Sequence, residues 1–160
     1  MYRHWTSLVL GLGCGLIAGL YFAFSTFIIT ALGRIDRTSG IAAMNAINAA
    51  ILRSLFMPLF LGTILASLVL SVIALLRWGE PGAAAMLSGG GIYFVGMFLV
   101  TMIFNVPLNN TLAAVPPASA EGAQAWARYL KHWTLWNHVR TIASTAACAL
   151  FVAAFASEAV

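Results

Sequence analysis

Trp133-Thr134-Leu135-Trp136-Asn137-His138-Val139-Arg140-Thr141 opens the last long apolar run of the chain, which continues to about Ala156. Two indoles, an amide, an imidazole, a guanidinium and two hydroxyls crowd into under three helical turns of a sequence that is only 8% charged. On a helix, Thr134, His138, Thr141 and Thr145 fall at i, i+4, i+7 and i+11, which is one face. Asn137, Arg140, Thr141 and Ser144 form an overlapping one. Polar groups at the mouth of a membrane helix are costly unless they face the bundle or water, so they mark a functional site by default. The competing reading is an interfacial anchor, with Trp and Arg at headgroup depth. An anchor, however, needs neither Asn137 nor His138.

Working outward, the rest of the chain is of the same kind. It has 160 residues, 62% hydrophobic, with a mean hydropathy of +0.95. That is an integral membrane composition, and the length allows one domain. The net charge of +4 and the pI of about 9.6 rest on eight scattered Lys and Arg residues. With no basic run among them, nucleic acid is not indicated, and charges that orient a multi-pass protein are the simpler account. Cys14 and Cys148 both lie in apolar segments and read as buried free thiols.

Four spans are expected, at about residues 7–32, 55–76, 83–106 and 133–156, giving an all-α integral membrane four-helix bundle. The first follows a short polar lead, Met1 to Trp5. It exceeds the apolar core of a signal peptide, usually about 7–15 residues, and is read as a helix. Gly11, Gly15, Gly19 and Ala23 recur every four residues along it, a stripe for close helix packing within the chain or between copies in a homo-oligomer. Two short interfacial helices complete the bundle, at about 41–53 and 121–131. Asn45 and Asn48 on the first either line the same mouth as His138 or face water. Near the end of the third span, Thr101, Asn105 and Asn109 are four apart, and Pro107 interrupts the run between the asparagines.

With four spans, both termini share one side, and the loops after the first and third spans share the other. Asn45, Asn48, Asn109, Trp133, Asn137, His138 and Arg140 then gather at one end of the bundle. Arg34, Arg37, Arg128 and Lys131 lie at that end, against Arg3 and Arg77 at the other, which puts the polar mouth in the cytoplasm of a bacterial plasma membrane.

Four blocks carry a resemblance: Gly19-Leu20-Tyr21-Phe22-Ala23-Phe24-Ser25, Gly40 to Asn48, Phe104-Asn105-Val106-Pro107-Leu108-Asn109 and Trp133 to Arg140. Together they resemble the anthrone oxygenase-like family of small four-helix membrane proteins. The resemblance implies an oxygenase that converts a hydrophobic anthrone-like or phenolic substrate with molecular oxygen, without a metal, flavin or other cofactor. On that reading His138 is the base, Arg140 stabilises the oxyanion, and Asn109 and Asn105 donate to substrate or to a peroxide. Trp133 and Trp136 stack on a flat polycycle, and Asn45, Asn48 and Asn137 complete the binding surface.

Two other classes stay open. One is a small membrane binding or transport subunit whose mouth holds a ligand. The chain has neither inverted halves nor an embedded carboxylate for proton coupling, which argues against an ion-driven transporter. The other is a haem- or metal-dependent membrane oxidoreductase. His4, His132 and His138 are its only histidines, the first placed at the opposite side and the other two on different helix faces. That arrangement disfavours a His-rich metal site and leaves a single axial haem ligand open.

Overall fold

The computed structural model describes residues 2–157, with side chains from Trp5 onward. The expectations for Arg3 and His4 lie outside the side chains described. Five helices make up the described residues, without a strand. Helix α1 covers residues 2–32, α2 is Arg37–Ile51, α3 is Phe56–Leu76, α4 is Ala83–Ala114 and α5 is Ala120–Ser157. Four of them, α1, α3, α4 and α5, are long and apolar enough to cross a membrane, and the protein is a multi-pass integral membrane bundle. Around the bundle α1 packs on α5, α5 on α4, α4 on α3, and α3 returns to α1.

Two expected boundaries move. The third span does not stop at Val106 but runs on to Ala114. Pro107 lacks an N–H and its ring crowds the carbonyl four residues back, yet a wide π turn over Thr101–Asn105 absorbs the misfit just before it. The fourth span begins at Ala120, so the expected second interfacial helix is its first part. Nothing between Ala123 and Ser157 breaks a helix, since the stretch holds neither Gly nor Pro, and a π turn over Tyr129–Trp133 makes the join. Only α2 remains a separate short helix. Asp36 caps it by accepting from the Ser39 N–H at 3.0 Å, and Ser119 caps α5 by accepting from the Gly122 N–H at 3.0 Å.

At 1.5 Å per residue, α5 is about 57 Å long and α4 about 48 Å, against a hydrocarbon layer of about 30 Å. Their paired ends therefore project past the bundle, and α2 packs onto them. Two apolar cores result. The larger lies among α1, α3, α4 and α5 and includes Ile17, Phe60, Tyr93 and Phe151. The smaller joins Phe24, Ile41, Met44, Leu112, Trp126, Tyr129 and Trp133 under α2.

The glycine stripe of α1 is half right. A Cβ on Gly11 would stand 3.2 Å from Val152 Cγ2 and one on Gly15 would stand 3.4 Å from Cys148 Sγ, so both serve the approach to α5. Gly19 faces open space. The tightest approach along α1 involves a glycine off the stripe, Gly13, whose Cβ would come within 2.5 Å of Thr63 Cγ2 on α3. Thr63 cannot swing aside, because its hydroxyl bonds the Leu59 carbonyl at 2.8 Å and the Tyr93 hydroxyl at 2.9 Å. Gly13→Ala is therefore expected to cost about 1–3 kcal/mol, the usual range for overpacking. Gly19→Ala should cost nothing, and thermal unfolding of both variants in one detergent checks the contrast.

Candidate functional site

The inward seam of α5 is Trp133, Asn137, Arg140, Ser144, Ala147, Phe151 and Ala154, at alternating spacings of four and three, all buried. Its apolar half joins the larger core. Its polar half, Asn137 and Arg140, meets α1 and α4. Asn137 is fully buried and donates through Nδ2 to the Tyr21 carbonyl at 2.8 Å and to Ser25 Oγ at 2.7 Å. Ser25 Oγ is also 3.1 Å from Thr141 Oγ1. This knot fixes α5 against α1 and leaves Asn137 Oδ1 to accept from Arg140 Nη2 at 2.6 Å.

Arg140 is 5% exposed. Its Nη1 donates to Thr101 Oγ1 at 3.4 Å, its Cζ lies 4.2 Å from the centre of the Tyr21 ring and 5.2 Å from that of Trp133. Nε has no partner, and among the described residues no carboxylate pairs with the guanidinium. A charged group at membrane depth costs about 2.5–3.5 kcal/mol even on the mildest scale. The ring faces and neutral acceptors offset part of that and leave the positive charge unneutralised.

The guanidinium forms one wall of a cavity of about 300 Å³ between the two cores. The other walls are mostly apolar: Phe24 and Trp133, which meet edge to face at 5.7 Å, and Met44, Phe56 and Phe60. A second polar corner stands at Asn48 and Asn109. Tyr129, stacked between Trp126 and Trp133 at 5.8 and 5.4 Å, donates its hydroxyl to Asn109 Oδ1 at 2.8 Å. Leu52 (65% exposed) and Met102 (47% exposed) belong both to the cavity wall and to the outer surface, so the cavity opens sideways between the α2–α3 junction and α4.

The structure thus brings together Asn48, Asn109, Trp133 and Arg140, with Asn137 directly behind Arg140. Asn105 is 1% exposed and turned away from the cavity, where its amide donates to the Trp133 carbonyl at 3.2 Å. Three further residues expected at the site are not there either. His138 is exposed on the outer face of α5, beside Leu135 and Ile142, and does not line the cavity. Trp136 stacks on Phe104 at 3.7 Å and 7° in a recess outside the bundle. Asn45 lies on α2 apart from the cavity wall. Conversely, Tyr21, Ser25, Thr101 and Tyr129 build the site without having been assigned to it from the sequence.

Among the described residues no three His, Cys, Asp or Glu side chains gather as a metal site. Cys14 and Cys148 are free thiols.

A four-span membrane bundle with a buried cationic cavity is the class these features define. The family model for anthrone oxygenase matches residues 50–150, more than half of the chain. The chain belongs to the anthrone oxygenase family. The match includes the Asn105–Asn109 and Trp133–Arg140 blocks and leaves out α1 and nearly all of α2. Neither the curated proteins nor the solved structures contain a match to the chain.

Two substitutions separate what Arg140 does for the fold from what Asn137 does. Arg140→Met removes a desolvated charge that has no counter-ion, and is expected to leave thermal stability within about 1 kcal/mol of wild type or to raise it. Asn137→Leu removes the bonds to the Tyr21 carbonyl, Ser25 and Arg140 together and should cost about 1–3 kcal/mol. Unfolding curves in detergent read both.

Proposed function

We propose that the chain is a membrane-embedded oxygenase that oxidises an anthrone-like or other phenolic polycycle with molecular oxygen and needs no bound cofactor. The observation that carries this reading is a buried guanidinium that no carboxylate pairs with among the described residues, set in a cavity with aromatic walls. Such a wall is complementary to a flat, apolar molecule that becomes an anion. Family membership supports the same chemistry. The cavity size is at the lower end of the roughly 300–1,000 Å³ usual for small-molecule sites.

On this reading the substrate lies against Trp133 and Phe24 with its carbonyl oxygen toward Arg140. Transfer of a C–H proton from the methylene opposite the carbonyl to a water molecule gives an enolate, which the guanidinium stabilises in a medium that screens charge poorly. The enolate passes an electron to oxygen, and recombination forms a C–O bond at the former methylene. The proton released earlier completes a hydroperoxide. Loss of water from it leaves the second carbonyl, so one oxygen atom enters the product and the other departs as water. Asn109, held by Tyr129, and Asn48 are the amides available to the distal end of the substrate. His138, outside the cavity, takes no part. The basic loops favour the cytoplasmic side of a bacterial plasma membrane for this end of the protein.

Oxygen uptake with an anthrone by the purified protein tests the proposal. Wild type should consume one oxygen molecule per quinone formed. Arg140→Met should lose about 10²–10³-fold in rate, the usual cost of removing an oxyanion partner, with Arg140→Lys between, since it keeps charge without the planar fork. His138→Gln should stay within a few-fold of wild type. Anthrone binding without oxygen uptake would instead favour the binding or transport subunit.

A further inference from the structure

A second polar recess lies on the other side of α5. Arg128, His132 and Trp136 line it together, on a side of the helix away from the seam of Trp133, Asn137 and Arg140. Phe104, Pro107 and Thr111 of α4 face them across a recess of about 210 Å³. Its inner end is aromatic, where the rings of Phe104 and Trp136 lie 3.7 Å apart and nearly parallel. Its outer end carries the positive charge of Arg128. Arg128 and His132 are both exposed there, neither has a hydrogen-bond or ion-pair partner among the described residues, and no carboxylate lines the recess.

Position matters as much as composition. The outer end belongs to the part of the bundle that carries Arg34, Arg37, Arg53 and Lys131 against only Asp36 and Glu121. From Arg128 to Trp136 is eight residues of helix, about 12 Å along the axis. Over that distance the recess changes from basic to aromatic in the direction of the membrane interior. A soluble anion would use only the outer end. An amphiphile with an anionic head and an apolar body would use both.

We propose that this recess between α4 and α5 binds an anionic membrane lipid, with the headgroup phosphate at Arg128 and His132 and the apolar portion along Phe104 and Trp136. Basic pockets between membrane helices hold lipid phosphates in this manner. The assignment is independent of the oxygenase reading, since the recess and the cavity lie on different faces of α5. Occupancy also has a structural effect. The lipid bridges α4 and α5 beside the π turns at Thr101–Asn105 and Tyr129–Trp133, bracing from outside the two segments that carry Asn105 and Trp133.

Native mass spectrometry of the delipidated full chain, offered equal amounts of phosphatidylglycerol and phosphatidylcholine, tests the site. The wild type should retain phosphatidylglycerol in preference to phosphatidylcholine. Arg128→Gln should lower that retention about fivefold, the usual effect of one basic residue at a membrane surface. Arg128→Lys should keep most of it, and Arg34→Gln, at the same end but outside the recess, should keep all of it. Equal retention of the two lipids by wild type would overturn the proposal without recourse to any variant. So would a loss in Arg34→Gln as large as in Arg128→Gln, which would mean diffuse attraction. Displacement of the lipid by inorganic phosphate would also overturn it, because the site would then be one for free phosphate.

Discussion

One positive charge held inside a membrane bundle governs the arrangement around it. Arg140 is 5% exposed, and among the described residues no Asp or Glu pairs with it. What surrounds it is therefore everything a guanidinium accepts short of a carboxylate: the amide oxygen of Asn137, the hydroxyl of Thr101 and the faces of Tyr21 and Trp133. Each of these in turn is fixed by something else. Asn137 is tied to the Tyr21 carbonyl and Ser25, and Trp133 to Asn105 and the Trp126–Tyr129 stack. The α1–α5 and α4–α5 contacts at this level are thus organised by the solvation of one side chain.

The second organising feature is helical register. Three helices carry a π turn close to the cavity: Phe24–Ile28 in α1, Thr101–Asn105 in α4 and Tyr129–Trp133 in α5. A π turn takes in one extra residue and rotates everything beyond it relative to an ideal helix. That is why Thr101, Asn105 and Asn109, four apart in sequence, do not share one face in space. Thr101 and Asn109 reach the cavity and Asn105 turns to the Trp133 carbonyl.

These two features also explain how much could be read in advance. The four spans and the gathering of Asn48, Asn109, Trp133 and Arg140 around one cavity follow from hydropathy and from the pattern of polar residues in the membrane helices. His138 was misplaced because α5 has two polar faces, and spacing alone does not say which is inside. Threonine made the wrong face look inward. Thr145 gives its hydroxyl proton to the Thr141 carbonyl at 2.8 Å, and so tolerates an apolar surrounding without needing a partner from another helix. The parts played by Tyr21 and Tyr129 were hidden for a different reason. An aromatic residue in an apolar run looks like packing until the residue across from it is known, and here that residue is a guanidinium for one and an asparagine for the other. The block Gly19 to Ser25 held the only sequence signal for Tyr21 and Ser25.

The sideways opening of the cavity, at Leu52 and Met102, sets the terms on which any ligand competes for it. A molecule that dissolves in lipid is concentrated there by its partition coefficient long before it meets the protein. Occupancy then depends on the mole fraction in the bilayer and not on the trace left in water. The apolar walls add little to the affinity seen from that phase, because lipid already supplies an equivalent environment. What the protein offers beyond the membrane is Arg140. Discrimination among dissolved polycycles would rest on which of them can carry a negative charge to that point, and hardly at all on how greasy they are.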